Sequence, residues 1–414
     1  MTTVEQRGLD AELAARGDEL AELLAASVRT PSATGAERAV CDFYAEWMRA
    51  HGWEAEVQPL AGTPFAADEE TVGDRANVIG YPFGRPAPSD RVIVLNGHID
   101  VVPEGDLAAW EHPPFAGVRE GGRVHGRGTV DMKGGIAAAL IALDVLRDDP
   151  GRVSHVPVVH LVIGEERSGV GTRLALALAA EPPAAAVVLE PTGNALVTVC
   201  TGLQFFRLEA SGAAAHSSAP WEGIDALERL LRLRDALIAT AADRSARFAH
   251  PRFADVPTGI PFTIGLLSAG EYQAAVPEHA SLTGRIGLMP GEAPGAARDA
   301  FAAALAAAVG DDPHEAAHPH RLSWLGEPYP GWETPESSDL VRAFVRGIAA
   351  VEGEAELRGF TAGNDAGQYA ALGVPTLVFG PGDTALAHTP GESVAETDLL
   401  HAARSLALAL RELP

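Results

Sequence analysis

Two adjacent glutamates, Glu165 and Glu166, come directly after Gly164 and the apolar run 158–163. This run is rich in β-branched residues and too short for a typical helix, so it predicts a buried strand. In α/β folds, ligand-binding residues gather at the carboxyl ends of such strands. Neighbouring side chains on an extended backbone point to opposite sides. One carboxylate can therefore face a metal ion while the other faces the space for a substrate.

Other side chains that can bind metals follow similar runs along the chain. His98 and Asp100 come after the run 91–95, two residues apart and so on one face of an extended segment, where one can bind a metal and the other can orient it. Asp131 lies in the glycine-rich segment 126–135, and glycines allow tight turns that bring a side chain close to others. The remaining donors are Glu190, after the run 186–189, and His388, beyond the run 376–379.

The donors at these strand ends are imidazoles and carboxylates with no thiolate, a combination that suits Zn²⁺, Co²⁺ or Mn²⁺. Five ligands are too many for one catalytic ion that keeps an open position. If Asp131 bridges two ions, the ligands divide evenly into His98, Asp131 and Glu190 on one ion and Asp131, Glu166 and His388 on the other. Two ions held in this way activate water and stabilise a tetrahedral intermediate.

Five short motifs carry these residues. They are Gly97-His98-Ile99-Asp100, Gly126-Arg-Gly-Thr-Val-Asp131-Met-Lys-Gly-Gly, Gly164-Glu165-Glu166, Leu189-Glu190-Pro191 and Ala387-His388-Thr389. In combination they resemble the motifs of the M20 metallopeptidase family, which includes acetylornithine deacetylase, succinyl-diaminopimelate desuccinylase, aminoacylase and glutamate carboxypeptidase. The resemblance extends from about residue 20 to the C-terminus. It implies a catalytic domain that holds two metal ions and a smaller, inserted lid domain that commonly mediates dimerisation.

The resemblance also implies roles for individual residues. Glu165 would act as the general base on a water that bridges the two ions, and Asp100 would support His98. His216 ends a Gly-x-x-x-His pattern that begins at Gly212; in the family this histidine reaches the active site and stabilises the oxyanion, in some dimers from the partner subunit. A positioned donor to an oxyanion contributes about 3–4 kcal/mol. The alternative for His216 is a loop histidine that only caps a turn.

The function expected from these residues is hydrolysis of the amide bond in a small N-acyl amino acid or related N-acyl compound, as in acetylornithine deacetylase. Glu165 would deprotonate the metal-bridging water and later pass the proton to the leaving amine. Two divalent ions are expected, zinc first, with cobalt and manganese as alternatives. Three other functions stay open: a metallo-carboxypeptidase or dipeptidase of the same family, an aminopeptidase, or a non-catalytic binding protein with a structural metal centre.

Two positions depart from the family pattern near the expected substrate site. Many relatives have an asparagine three residues before Pro277, where this chain has Ala274. Many also have an arginine, which meets the substrate carboxylate, at the position of Gly287. Arg285 lies two residues earlier and, on a strand, on the same face. We therefore expect Arg285 to bind the anionic end of the substrate.

The elements that position these residues follow from the hydrophobic periodicity. Strands alternate with helices through about residue 197. This predicts an α/β domain with a mostly parallel sheet and flanking helices, formed by residues 1–197 and 312–414. Between these segments, residues 198–311 are predicted to form strand, helix, strand, strand and helix, the order expected of a ferredoxin-like α+β insert. The stretch 311–313 would be the linker back to the catalytic domain.

Two local predictions concern polar residues outside the motifs. Thr34 and Glu37 have the spacing of a capping box, so they are expected to open a helix that runs to His51. Asp365, in the segment Gly363-Asn364-Asp365-Ala366, is expected either to shape the pocket floor, as a similar Asp-Ala does in the family, or to cap a helix N-terminus.

Composition limits the partners of this chain of 414 residues. Its formal net charge of −25, from 31 basic and 56 acidic residues, argues against a nucleic-acid binder, which needs clustered Lys and Arg. With only Cys41 and Cys200, neither a disulfide framework nor a thiolate metal site is expected. There is no apolar leader pattern and no run of about 18 apolar residues. We expect a cytoplasmic protein with a small-molecule substrate, no membrane partner and a lid domain able to form a homodimer.

Overall fold

The structure is a computed structural model that describes residues 3–148, 153–310 and 312–414. The chain divides into two compact units. The large unit comprises Met1–Thr198, Thr334–Arg358 and Asn364–Pro414, and the small unit comprises Val199–Glu333 and Gly359–Gly363. The small unit is therefore built mainly from one long insertion into the sequence of the large unit.

Helices and strands alternate along most of the large unit. The helices of the described chain are α1 (Thr3–Ala15), α2 (Gly17–Val28), α3 (Arg38–Ala50), α4 (Gly134–Arg147), α5 (Val170–Leu178), α6 (Ala226–Arg247), α7 (Pro294–Val309), α8 (Asp339–Glu352), α9 (Ala366–Ala370) and α10 (Glu396–Glu412). Within the described residues, no helix is long and apolar enough to cross a bilayer.

The strands fall into one large sheet and two smaller ones. They are β1 (Glu54–Pro59), β2 (Ala76–Tyr81), β3 (Val92–His98), β4 (Val118–Glu120), β5 (Arg123–His125), β6 (Val156–Val162), β7 (Ala185–Val188), β8 (Leu196–Cys200), β9 (Gly202–Ser211), β10 (Thr263–Ala269), β11 (His279–Leu288), β12 (Arg321–Tyr329), β13 (Trp332–Glu333), β14 (Leu357–Phe360), β15 (Thr376–Val378) and β16 (Ser393–Ala395).

The large unit is built around a sheet in which the strand order begins β1-β2-β6-β3-β7-β15-β8. Its four central strands, β6, β3, β7 and β15, are parallel, as predicted, and the strands on both sides of them are antiparallel. The central strands are buried almost throughout, as expected for parallel strands that helices cover. Parallel neighbours end at the same edge of a sheet, so the residues that follow these four strands are brought together.

Helix α4 shows how closely the helices approach this sheet. Its residues from Gly134 to Leu146 are all buried, as expected for a helix that is apolar at every one of these positions except Asp144. A Cβ on Gly135 would lie 2.2 Å from the carbonyl oxygen of Leu189, so only glycine permits this approach. The contact brings the start of α4, just after Asp131, next to the end of β7.

The small unit is a four-stranded antiparallel sheet with the order β10-β11-β9-β12. Helices α6 and α7 cover one face, where their Leu230, Leu237 and Phe301 pack against strand residues such as Leu208 and Leu282. On the opposite face the alternate residues of β9 from Phe205 to Ser211 are exposed or half-buried. This open face is the one on which β11 carries the predicted substrate arginine.

The small unit extends beyond residue 311, the last residue of the predicted insert, to Glu333. Strand β12 completes the sheet, with Arg321 paired opposite Glu209 of β9. Its sequence lacks a continuous apolar run because much of the strand is exposed or half-buried. Of the predicted linker, Asp311 lies outside the described residues, and Asp312 forms a salt bridge with the buried Arg229 at 3.0 Å.

The helix predicted from Thr34 forms as α3, but the capping box is wrong. No side chain caps the start of α3. The Thr34 hydroxyl instead donates to the carboxylate of Asp100 at 2.8 Å. Glu37 accepts two hydrogen bonds from Arg75, at 2.7 and 2.8 Å. Both side chains are thus drawn away from the helix end by partners that are distant in the sequence.

Candidate metal centre

The four central strands of the large sheet end at the predicted metal ligands. His98 is the last residue of β3, Glu166 follows β6, Glu190 follows β7 and His388 follows β15. Asp131 lies on the turn between β5 and α4. Because the parallel strands end at one edge, all five predicted ligands meet there.

Asp131 stands between the two histidines. Its Oδ1 lies 2.9 Å from His98 Nε2, and its Oδ2 lies 3.2 Å from His388 Nε2. Glu190 Oε1 lies 3.9 Å from His98 Nε2, whereas Glu166 Oε2 lies 3.2 Å from His388 Nε2. Glu190 thus lies near His98, Glu166 lies near His388, and Asp131 is close to both histidines.

Glu165 lies on the His98 side of this cluster. His98, Glu165 and Glu190 each place one ligand atom within 4.8 Å of the others, and so do His98, Asp131 and Glu166. A general base must lie within reach of the water that it deprotonates. Glu165 is therefore a neighbour of both His98 and Glu190, as a general base for a group held between them would have to be.

Burial and the nearby negative charges disfavour the ionised form of the acids in this cluster. Desolvation raises the pKa of Glu190 well above 4.5, and the charge of Asp131 raises it further. Desolvation also raises the pKa of Glu165, with repulsion from Glu190 adding to it. Burial lowers the pKa of His98, but the hydrogen bond to Asp131 and the neighbouring charges outweigh it, so that this pKa lies well above 6.5. Carboxylates crowded around two imidazoles fit a pair of divalent cations, which would neutralise them.

Asp100 supports both the imidazole and the glutamates, through different groups. Its main-chain carbonyl accepts a hydrogen bond from His98 Nδ1 at 2.8 Å, which leaves His98 Nε2 for a metal. Its carboxylate, 3.8 Å from that ring nitrogen, accepts the amides of Glu165 and Glu166 at 3.2 and 3.4 Å. The backbone of Asp100 thus orients His98, and its side chain fixes the glutamate turn, residues 164–166.

A buried ion cluster holds the glutamate turn from a second side. Arg75 lies 2.7 Å from carboxylate oxygens of both Glu37 and Glu69, and none of the three side chains is more than 4% exposed. Gly164 has a φ of +70°, and a Cβ there would lie 2.8 Å from a guanidinium nitrogen of Arg75. The turn therefore requires glycine both for its conformation and for its packing. Ser168 Oγ adds a hydrogen bond to Glu69 at 2.5 Å.

Glu392, which the sequence did not single out, holds the turn that carries Asp131. Its Oε1 accepts the amides of Gly128, Val130 and Asp131 at 2.9, 3.0 and 3.2 Å. The one sequence signal is an acidic residue shortly after His388 in a loop with Pro and Gly. Nothing in that spacing reveals a partner 261 positions away.

Asp365 occupies the N-cap position of α9, but its side chain does not cap that helix. Its carboxylate accepts hydrogen bonds from the hydroxyl of Thr172 at 2.7 Å and from the side-chain Nε2 of Gln368 at 2.6 Å. Thr172 Oγ1 in turn accepts Asn96 Nδ2 at 2.8 Å, so Asp365 is connected to the strand that ends at His98. Desolvation raises the pKa of Asp365 to about 6.

His216 lies on an exposed loop of the small unit, where it forms a β-bridge with Ala275. Its Nδ1 accepts the amide of Ser218 at 3.1 Å and lies 2.8 Å from the hydroxyl of the same residue. Accepting the amide at Nδ1 assigns the proton of a neutral imidazole to Nε2. The ring thus contacts its own turn, as expected of a histidine that only caps a turn. Its Nε2–H is still left as a hydrogen-bond donor.

Arg285 lies on the open face of the small unit, on β11 opposite Phe205. Desolvation lowers the pKa of its guanidinium. In the described part of the chain it donates one hydrogen bond, to the Thr361 carbonyl at 3.1 Å, and pairs with no carboxylate. At Gly287, on the same face, a Cβ would lie 2.7 Å from the backbone of Ile260. The backbone therefore leaves no room for an arginine at 287, whereas Arg285 places a cation two residues earlier on the same face.

The amino-acid sequence matches the model of peptidase family M20/M25/M40 over residues 94–412. The chain belongs to this family. The matched residues begin in β3 and include all five candidate ligands, so the resemblance inferred from the motifs is confirmed. M20 proteins typically bind two divalent metal ions, in agreement with the candidate ligands gathered at the sheet edge.

Relatives of this M20 protein carry names for different reactions. It is 34% identical over 314 residues to a probable carboxypeptidase from Aspergillus terreus, an alignment that covers 73% of this chain and 67% of the relative. It is 30% identical over 387 residues to acetylornithine deacetylase from Proteus mirabilis, covering 90% and 91% of the two chains. The family thus defines a metallohydrolase class and leaves the substrate open.

The fold also matches solved structures at low sequence identity. The di-peptidase Dug1p from Saccharomyces cerevisiae superposes with a TM-score of 0.77 at 14% identity, covering 100% of this chain and 99% of that one. An M20 metallo-carboxypeptidase from Sulfolobus solfataricus superposes with a TM-score of 0.73 at 16% identity, covering 95% and 99%. At these identities the likeness establishes the fold alone.

Proposed function

We propose that this M20 protein is a metal-dependent hydrolase that cleaves the amide bond of a small N-acyl amino acid or related N-acyl compound. The observation that carries the proposal is the position of Asp131. One of its carboxylate oxygens lies 2.9 Å from His98 Nε2, and the other lies 3.2 Å from His388 Nε2. A carboxylate shared between two such ligand groups can hold two ions a few ångström apart.

The proposed ligand set is that of the sequence prediction. His98, Asp131 and Glu190 would hold one ion, and Asp131, Glu166 and His388 would hold the other. Zinc is the proposed metal, with cobalt and manganese as alternatives, because the donors are imidazole and carboxylate without thiolate.

Glu165 is the proposed general base. When bound, the two ions would lower the pKa of a water between them and polarise the substrate carbonyl. The Glu165 carboxylate takes the proton from this water and returns it to the nitrogen of the leaving amine. Asp100 and Arg75 hold the glutamate turn, which fixes where the carboxylate of Glu165 can reach. Such fixed geometry favours proton transfer because little rearrangement is needed.

Two residues of the small unit are proposed to act on the substrate. The Nε2–H of His216 would donate to the oxyanion that develops on the substrate carbonyl. Arg285, a partly buried cation that lacks a carboxylate partner among the described residues, would bind a substrate carboxylate through charge-assisted hydrogen bonds.

We assign the small unit to the ferredoxin-like fold and propose that it mediates a homodimer. The assignment is supported by its strand order and by the connection β9-α6-β10-β11-α7-β12. Strand β10 forms an edge of the sheet, and its Leu266 and Leu267 are 70% and 52% exposed. An edge strand with exposed apolar side chains is suited to pair with a second copy. The molar mass in solution tests this assembly.

A carboxypeptidase is the second candidate. It is favoured by Arg285, which could bind the C-terminal carboxylate of a peptide, and by the named relative from Aspergillus terreus. The two candidates share the metal centre and the base. They differ in whether the acyl group that is removed is a simple acid or the rest of a peptide.

A substrate panel tests the proposed function. The protein is stripped with chelator, reloaded with Zn²⁺ or Co²⁺ and incubated with acetylornithine, with other acetyl-, formyl- and succinyl-amino acids, with acyl-glutamates and with dipeptides. We expect metal-dependent release of amine from N-acyl amino acids and none in the Glu165→Gln control. Cleavage restricted to dipeptides would favour the peptidase candidate. Two bound ions without any turnover would favour a non-catalytic binding protein.

A further inference from the structure

We propose that Glu392 is a positioning residue that holds Asp131 in place as the ligand shared by the two metal ions. The inference rests on the proposed function, since it concerns the metal pair assigned there. It adds a residue that none of the motifs contains and a structural reason for the short spacing between His388 and Glu392.

The first observation is the number of amides that Glu392 collects. Its Oε1 accepts the backbone N–H groups of Gly128, Val130 and Asp131 at 2.9, 3.0 and 3.2 Å. The residue is 1% exposed, so water cannot replace these hydrogen bonds. A buried carboxylate that accepts several amides of one turn fixes the path of that turn. Here the fixed turn is the one that aims the Asp131 side chain.

The second observation is the support for Glu392 itself. Arg127, which is 3% exposed, donates to Glu392 Oε2 at 2.6 Å. The guanidinium carbon of Arg127 lies 5.0 Å from the centroid of the Trp110 ring. The Nη1 and Nη2 atoms of Arg127 donate to the carbonyl oxygens of Thr389 and Pro103, each at 3.4 Å. Because Arg127 neutralises the carboxylate and is itself held on several sides, Glu392 has one available position.

The third observation is that the loop with Glu392 also contacts the side chain of Asp131, through His388. His388 Nε2 lies 3.2 Å from Asp131 Oδ2, while Glu392 binds the main chain of Asp131. His388 has a φ of +62°, a conformation that a non-glycine residue adopts only when its surroundings impose it. The loop 388–392 thus holds the side chain and the backbone of the shared ligand together.

The consequence is a specific effect on the metal pair. To hold both ions, the Asp131 carboxylate would have to present one oxygen to each, which would require a more closely defined orientation than holding one ion alone. Loosening the backbone of Asp131 should therefore weaken the binding of both ions. Groups that orient metal ligands typically change metal affinity by roughly 10- to 100-fold when they are removed.

The test uses Glu392→Gln, which keeps the size of the side chain but turns an amide group toward Arg127. The matched control is Glu396→Gln on the same segment, where the Glu396 carboxylate pairs with Arg119 at 3.0 Å on a part-exposed site. Metal affinity is measured by chelator competition with Zn²⁺ alone, and amide exchange is measured in the metal-free protein. We expect Glu392→Gln to weaken metal binding by about 10- to 100-fold and to speed exchange at 128, 130 and 131. We expect neither change in the control.

Equal metal affinity and equal exchange in Glu392→Gln and Glu396→Gln would overturn the inference. Arg127→Lys keeps the charge but loses the planar guanidinium, so it provides a second variant if Glu392→Gln does not fold. It should give the same two changes with smaller size. A wild-type protein that binds no metal would contradict the proposed function, whereas the exchange measurement on metal-free protein would still decide whether Glu392 holds the turn.

Discussion

The candidate metal centre of the large unit and the open face of the small unit differ in how their polar side chains are held. At the metal centre, the turns with Asp131 and the two glutamates are fixed by buried carboxylates that accept backbone amides. On the small unit, His216 contacts its own loop, and Arg285 donates to one main-chain carbonyl. One region is already organised, and the other keeps hydrogen-bonding capacity unused.

This difference indicates which part of the reaction each region serves. Metal ligands must hold a fixed geometry before the substrate arrives, and buried contacts within one unit provide it. Residues that recognise a substrate must keep donors free until it binds. The comparison therefore predicts that variants of the large unit affect kcat or metal content. On the small unit, Arg285 should affect KM, whereas His216, whose proposed partner is the oxyanion of the transition state, should affect kcat.

The largest expected effect is that of Glu165→Gln. Removing the general base should lower kcat by about 10⁴-fold, while both ions remain because Glu165 is outside the proposed ligand set. Steady-state kinetics and metal content of the same preparation measure the two quantities. Loss of an ion would mean that Glu165 is a ligand and that its role has been exchanged with that of Glu166.

His216→Ala should give the next largest effect. Loss of one donor to the oxyanion should lower kcat by about 10²- to 10³-fold with little change in metal content. Ser218→Ala is the matched control, since it removes the hydroxyl contact of the ring but leaves the Nε2–H donor. Similar small losses in both variants would support the turn-capping alternative.

Arg285→Ala should raise KM by about 10- to 100-fold, the value of a charge-assisted hydrogen bond, with a smaller change in kcat. Arg285→Lys should recover part of the loss because it restores the charge without the guanidinium. Arg207→Ala is the control, because Arg207 lies two residues along β9 from the residue opposite Arg285 and is paired with Glu209 at 3.4 Å. An unchanged KM in Arg285→Ala would remove Arg285 from the substrate site.

The smallest expected effect is on the pH dependence of stability without metal. Hydrogen bonds to Asp131 and Glu166 raise the pKa of His388 to about 10, whereas an unfolded histidine titrates near about 6.5. The folded protein thus holds this proton more tightly, so the stabilisation is complete below pH 6.5 and is lost as the pH rises toward 10. The effect is small because the side chain is 51% exposed and its charge is screened.

The difference in free energy of unfolding between the metal-free wild type and His388→Gln measures this contribution. We expect the difference to shrink as the pH is raised. A difference that grows with pH would mean that the neutral imidazole is the form bound by Asp131 and Glu166. Because the wild type and His388→Gln are compared at the same pH, the contributions of other titrating groups to the free energy of unfolding cancel. One such group is Lys133, whose pKa is lowered by burial to about 7.

Much of the large unit could be predicted from the sequence because its signals are local. Short apolar runs predicted the central strands, and polar residues that follow them are the candidate ligands. Parallel strands then bring His98, Glu166 and Glu190 to one edge without further information. The cytoplasmic location and the absence of nucleic-acid or membrane partners stay predictions.

The supporting residues could not be predicted because their partners are remote. Thr34 and Glu37 have a spacing that fits a capping box, yet each binds a group from another segment of the chain. Glu392 gives no local signal for the amides that it holds. Strand β12 was missing from the predicted small unit because an exposed edge strand lacks a continuous apolar run. In each case a tertiary contact, absent from the local pattern, decides the outcome.

The most direct test of the central claim is to titrate zinc into metal-free protein in a calorimeter, with the wild type and Asp131→Asn measured side by side. Because Asp131 is proposed to be shared, we predict two ions per wild-type chain and loss of tight binding of both ions in Asp131→Asn. A wild type that binds one ion or none, or an Asp131→Asn variant that still binds two ions tightly, would contradict a metal pair built around this carboxylate.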